Sequence, residues 1–156
     1  MKYLISLLIG LGFFSIKNNL PILQPIKQSD FKYISSPFGW RSHPIHGNNR
    51  FHNGIDIVPK KTNTVVFATA NGVAQGINQN AEKAEGLSIL MQHRFGFQTK
   101  YAHLQNILVQ ENESIKAGQA IGIIGATGNA TGVHLHYEIR YEGVAVDPVE
   151  VQRIFD

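Results

Sequence analysis

The most constraining stretch of this 156-residue chain is VHLHYEIRY, Val133 to Tyr141. Apolar Val133, Leu135, Tyr137, Ile139 and Tyr141 alternate there with polar His134, His136, Glu138 and Arg140. A period of two belongs to a β-strand, whose successive side chains point to opposite faces. One face can pack a core while the other lines a polar site. Two histidines then point the same way, about 6.6 Å apart along the strand.

The rest of the chain agrees with that class. Short runs rich in Val, Ile, Phe and Tyr are punctuated by glycine, and no stretch carries a helical stripe longer than a turn or two. Strands are expected over Ile55–Val58, Thr64–Ala68, Gly72–Ile77, Leu87–His93, Phe97–His103, Gln119–Ile124 and Val133–Tyr141. Arg94-Phe95-Gly96, a short connection ending in glycine, predicts an antiparallel hairpin between two of them. The fold class is mainly β: an antiparallel sandwich or partly closed barrel.

Composition narrows the chemistry. A hydrophobic fraction of 43% and a charged fraction of 16% are those of a globular chain, and the length suits one domain with one core. With no cysteine, disulfides, thiolate metal ligands and a cysteine nucleophile are excluded, so any metal must be held by histidine and carboxylate. The net charge of +3 comes without a Lys/Arg run that would track a phosphate backbone, which argues against nucleic acid as a partner.

At the N-terminus, Lys2 precedes an uncharged, mostly apolar run from Tyr3 to Ile16, and Lys17 follows it. Residues 1–17 therefore read as a signal peptide or a signal anchor, and the protein as exported to the periplasm, the envelope or the outside. As a helix the run covers about 21 Å, against a hydrocarbon core of roughly 30 Å. Residues 18–30, with Pro21 and Pro25, read as a tether or a strap laid over the domain. The folded domain is expected over 31–156.

The chemistry-bearing residues are histidines and one aspartate. His52 stands four residues before Asp56. On an extended strand the two would lie roughly 13 Å apart, so a shared metal requires a bend between them, cheapest at Gly54. Two neutral imidazoles and a carboxylate leave a fourth position for water, as a hydrolytic zinc site requires. Spacing alone does not say which histidine of the H-x-H pair binds the metal.

Between about Ser35 and Pro148 the sequence resembles the M23 family of lysostaphin-like zinc metallopeptidases. The resemblance is carried by S-P-F-G-W-R-S-H-P at Ser36 to Pro44, H-N-G-I-D at His52 to Asp56, Y-A-H-L at Tyr101 to Leu104, G-A-T-G-N-A-T-G at Gly125 to Gly132 and H-L-H-Y-E at His134 to Glu138. It implies the family's fold, of the duplicated-hybrid-motif type, and a peptidase acting on bacterial cell-wall peptidoglycan. It further implies that His52, Asp56 and His136 bind Zn2+ and that His103 and His134 assist catalysis. Glu85-Gly86-Leu87-Ser88 stands where the family usually has G-Y-G-N, and Val133 replaces a proline, departures that bear on loop shape and substrate preference.

Several residues carry two readings. Glu138 is a residue that orients a ligand or accepts a proton, or else a salt-bridged glutamate at a strand end. His43 and His46 are expected at the groove rim, Arg41 as a structural anchor, and His93 as a structural or surface histidine. Gly125 to Gly132 lacks the residues of a phosphate loop and reads as a turn or a substrate-facing loop. Two rival functions are a non-catalytic module of the same fold and a lipoyl-like carrier, the latter prompted by Glu82-Lys83-Ala84.

Overall fold

A computed structural model describes residues 17–42 and 49–155. The expected signal segment up to Ile16, together with His43 and His46, lies outside these residues.

The strands are β1 (Phe31–Ser36), β2 (Gly39–Ser42), β3 (Asn49–His52), β4 (Ile55–Pro59), β5 (Val65–Phe67), β6 (Gly72–Asn78), β7 (Leu87–His93), β8 (Phe97–Ile107), β9 (Ser114–Ile115), β10 (Ala120–Ile124), β11 (Leu135–Tyr141) and β12 (Val144–Val146); helix α1 spans Pro148–Phe155. One antiparallel sheet runs β1-β4-β11-β8-β7-β6-β9, with β12 on β11 and β10 joined to both β5 and β8; β2 and β3 form a separate ribbon. The fold is mainly β, as expected, and the sheet does not close into a barrel. Arg94–Gly96 makes the predicted three-residue hairpin turn, with Phe95 and Gly96 both at positive φ.

The alternation along β11 decides the interior. Leu135, Tyr137 and Ile139 are completely buried, and Tyr137 is registered with Tyr101 of β8, their ring centroids 5.3 Å apart. Tyrosine hydroxyls in a core must find partners, because an unsatisfied buried polar group costs about 1–3 kcal/mol. Here they do. Tyr137 Oη donates to Thr69 Oγ1 at 2.9 Å, Thr69 Oγ1 meets Tyr101 Oη at 3.0 Å, and Tyr101 Oη meets Thr99 Oγ1 at 3.1 Å. Beyond them His93 Nε2 reaches Thr99 Oγ1 at 2.7 Å while its Nδ1 donates to the Asn71 carbonyl at 2.8 Å. His93 is therefore a structural histidine inside the core.

The opposite face of the same strands carries the site. His136 is registered with Asp56 of β4 on one side and with Ala102 of β8 on the other. Directly opposed residues of an antiparallel pair share a face with Cβ atoms about 4.5–5.5 Å apart, so the pairing itself puts Asp56 beside His136.

Strand β8 runs past its expected end at His103, and the reason is local. His103 sits in the left-handed region at φ 60°, a conformation worth roughly 1–3 kcal/mol of strain in a non-glycine residue. Residues up to Ala102 pair with β11, whereas Leu104 to Ile107 pair with β10. The kink turns the strand from one neighbour to the next. It is held by three hydrogen bonds: His103 N–H to the Glu85 carbonyl, Gly125 N–H to the His103 carbonyl, and the His103 ring to the Thr127 carbonyl.

Residues 18–30 lie across the body as a strap. Leu20 and Ile26 are buried in the core, Phe67 N–H donates to the Pro25 carbonyl at 2.8 Å, and the Gln152 amide of α1 donates to the Leu23 carbonyl at 3.0 Å. The packed body thus extends back to Leu20. The apolar residues around the two prolines show no sustained strand or helix period, although Leu20 and Ile26 bury their side chains and Leu23 does not.

Candidate metal centre

Three polar atoms converge at one point. His52 Nε2 lies 3.0 Å from His136 Nδ1 and 3.2 Å from Asp56 Oδ1, and His136 Nδ1 lies 2.9 Å from the same carboxylate oxygen. The bend that brings His52 to Asp56 falls between β3 and β4, at Asn53 and Gly54. Gly54 is needed there for space more than for backbone angle. A Cβ on it would meet the Tyr137 carbonyl oxygen at 2.2 Å.

The outer nitrogen of each ring is pinned by an acceptor, and a carbonyl or carboxylate oxygen can only accept, so the tautomers follow. His52 Nδ1 donates to the Pro37 carbonyl at 2.9 Å and His136 Nε2 to Glu138 Oε1 at 2.9 Å. In the neutral rings the inward nitrogens are bare lone pairs. Two lone pairs and a carboxylate oxygen within 3.2 Å of one another repel unless a cation or a proton lies among them. Free of any thiolate, the set offers nitrogen and oxygen donors, which suit zinc better than magnesium, with its preference for six oxygens.

Charge in the cluster is finely set. Burial alone pushes His136 down, but its hydrogen bonds to Asp56 and Glu138 outweigh that and hold it at about 9. Burial also disfavours the Asp56 carboxylate, yet the two histidines hold it well below the usual carboxylate range. Glu138 behaves likewise, since His136 and Arg140 overcome its burial and keep it ionised. Arg140 grips Glu138 Oε2 through Nε at 2.8 Å and Nη2 at 2.7 Å. Both readings of Glu138 are thereby realised: it is salt-bridged, and it orients the His136 ring.

His134 and His103 stand beside this cluster. His134 Nε2 lies 3.9 Å from Asp56 Oδ1, and its Nδ1 donates to the Gly132 carbonyl at 2.8 Å. His103 Nδ1 donates to the Thr127 carbonyl at 2.8 Å, and its ring centroid is 4.7 Å from that of His134 and 6.1 Å from that of His136. Burial, first of all, lowers the His103 pKa, so this ring is neutral at pH 7 with a free Nε2. All five residues singled out in the sequence are brought together, and registry with Asp56 distinguishes the two histidines of the H-x-H pair: His136 sits among the converging atoms and His134 at their edge.

What sequence reasoning missed is the outer ring of acceptors. The carbonyls of Pro37, Thr127 and Gly132 leave no signal, because every residue has one. The glycine-rich segment supplies two of them and packs against the Glu85-Gly86 turn: a Cβ on Gly128, at φ 72°, would meet Gly86 N at 2.4 Å. On one side of the cluster opens a groove of about 620 Å³ lined by Ser36, Arg41, Asp56, Thr131 and His134 among others. On the other side lies a smaller one of about 170 Å³.

Comparison with known proteins bears on the whole of this region. The profile of peptidase family M23 matches residues 50–148, a span that includes His52, Asp56, His103, His134 and His136. The chain is 42% identical over 118 residues to the DD-carboxypeptidase/endopeptidase Mpg of Neisseria meningitidis, covering 76% of this chain and 26% of that protein. It is 38% identical to the peptidoglycan DD-endopeptidase ShyC of Vibrio cholerae, covering 79% of this chain and 28% of that one. The chain thus spans about a quarter of the length of these curated relatives. Among solved structures, a zinc-containing peptidase from Vibrio cholerae superposes with a TM-score of 0.71 at 33% identity, over 80% of this chain and 37% of that one. With the profile covering well over half of its residues and the strands that build the site, the chain belongs to peptidase family M23.

Proposed function

We propose that this chain is a zinc metalloendopeptidase domain that hydrolyses peptide bonds in the stem peptides or cross-links of bacterial peptidoglycan. The observation that carries the reading is the convergence of His52 Nε2, Asp56 Oδ1 and His136 Nδ1, each held by its own neighbours with an acceptor pointing inward. Relatives named as peptidoglycan DD-endopeptidases support the substrate class.

His52, Asp56 and His136 would hold the metal. Bound there, zinc supplies Lewis acidity, which acidifies water and polarises a peptide carbonyl. The chain's own residues do the rest. The neutral His103 ring, anchored through Nδ1 to the Thr127 carbonyl, presents a basic Nε2 that can take a proton from the attacking water and return it to the leaving amine. His134, anchored to the Gly132 carbonyl, is placed to hydrogen-bond the same water or the oxygen that gains negative charge. Both rings are fixed before substrate arrives, so little reorganisation is required.

The substrate lies beyond the inner membrane, so we place the protein in the periplasm, the envelope or outside the cell, with residues 1–17 as the export signal or anchor and 18–30 strapped to the domain. Among the described residues no helix is long and apolar enough to cross a membrane. Cell fractionation of a C-terminally tagged chain checks the location. The reading as a whole is tested by mass spectrometry of fragments released from purified sacculi of several cross-link types, with zinc measured by elemental analysis. Zinc-loaded protein that releases no fragment from any sacculus would leave the non-catalytic module as the better account.

A further inference from the structure

The β2–β3 ribbon carries an arrangement that the fold does not need. Arg41 of β2 is registered directly opposite Arg50 of β3, and like charges directly opposed across a strand pair destabilise it. Trp40 and Phe51 form the neighbouring pair, and by alternation they take the other face. There the Phe51 ring meets Trp40 edge-on at 5.6 Å and Phe38 at 5.1 Å, which holds the ribbon in place.

Arg50 is two residues from His52, so the two arginines share the face of a metal-ligand candidate. Together with Asn53, His136 and Glu138 they line the 170 Å³ groove. Among the described residues no carboxylate lies within hydrogen-bond distance of either guanidinium. Among the described residues the carboxylate recorded against them is Asp56, whose Oδ2 lies 3.8 Å from Arg41 Nη2, beyond hydrogen-bond distance. The charge of Glu138 is already taken by Arg140 and His136.

We propose that Arg41 and Arg50 form a carboxylate subsite, and that it receives a free carboxylate on the carbon bonded to the scissile nitrogen. This rests on the peptidase reading. Guanidinium forks match a carboxylate in two parallel hydrogen bonds. Hydrolysis adds hydroxyl to the carbonyl carbon and hydrogen to the nitrogen, and the carboxylate two bonds from that nitrogen passes through unchanged. Such a group exists where the leaving residue is C-terminal, or where it is a diamino acid acylated on the amino group next to its free carboxylate. Inside a polyglycine bridge it is missing. The pair therefore selects bonds of the first two kinds against glycine bridges.

The test uses the full, zinc-loaded chain and two synthetic stem peptides that are identical except that the leaving residue ends in a free carboxylate or in a carboxamide. Wild type should prefer the carboxylate in kcat/KM by roughly tenfold to a hundredfold. Arg50→Gln should bring the ratio close to one, and Arg50→Lys, which keeps the charge but loses the fork, should fall between. Elemental analysis of each variant separates this from metal loss. Equal rates for the two peptides in wild type, or an undiminished preference in Arg50→Gln, would overturn the subsite. If neither peptide is cut, the peptidase reading fails, and calorimetric titration of the same peptides still decides: preferential carboxylate binding lost in Arg50→Gln upholds the subsite, and equal binding overturns it.

Discussion

Two buried polar networks lie back to back on β8 and β11, and they differ in how donors and acceptors balance. On the core side, the chain from His93 through Thr99, Tyr101 and Thr69 to Tyr137 gives every donor an acceptor. On the other side, His52, Asp56 and His136 turn acceptors toward one another. A closed network contributes rigidity; an open one creates a place for a cation. Two histidines, His93 buried and His136 half-buried, show the contrast in their charge. Burial lowers the pKa of His93 with only a backbone carbonyl opposing it, whereas two carboxylates reverse the effect of burial at His136.

The hardest break in the open network is loss of a ligand. His52→Ala, Asp56→Ala and His136→Ala should each lose zinc and peptidoglycan cleavage together, read by elemental analysis and fragment release on the same preparations. Next come the flanking rings. His103→Ala and His134→Ala should keep zinc and fold, by circular dichroism, while turnover falls by roughly a hundredfold or more. Wild-type turnover in both would refute the catalytic pair.

Glu138→Gln sharpens the comparison by weakening only the support of His136. Zinc affinity should fall by roughly tenfold to a hundredfold, measured by competition with a chelator. An unchanged affinity would reduce Glu138 to a partner of Arg140.

Protons should compete with zinc in the open network. His136 is held at about 9 in the metal-free protein, so below that pH a proton must leave before the metal binds. Apparent affinity should therefore rise about tenfold per pH unit between pH 6 and 8 and flatten above pH 9. A flat profile over that range would mean that no proton is displaced.

The smallest effect belongs to the closed network. Because the folded protein lowers the His93 pKa from its ordinary 6.5, the unfolded chain takes up its proton more readily. The stability from this group is present above pH 6.5 and is lost as the pH falls through the folded value. In urea titrations of metal-free protein, the stability gap between wild type and His93→Gln should narrow from pH 7 to pH 5. A gap that widens would show that His93 is not kept neutral.

Much of this was readable from side-chain pattern. Alternation over Val133–Tyr141 and the glycine-ended turn at Arg94–Gly96 report local physics that a chain carries wherever it folds. The elements that the pattern did not reveal, β1, β2, β3, β9, β12 and the two-turn helix α1, are short and derive their stability from pairing and burial rather than from any period of their own.

The sequence by itself determined the class of fold and the absence of thiolate chemistry, since each depends on which side chains are present and on their local spacing, whereas the set of five residues was singled out through the resemblance to a family. Only the tertiary structure decided that His136 rather than His134 points among the converging atoms, because that choice is set by registry with Asp56 on a neighbouring strand. It also decided which ring nitrogen is bare, through carbonyls of Pro37, Thr127 and Gly132, and it set Arg41 against Arg50. These are through-space relations between segments far apart in the chain, and a backbone carbonyl or a strand register has no letter in the sequence.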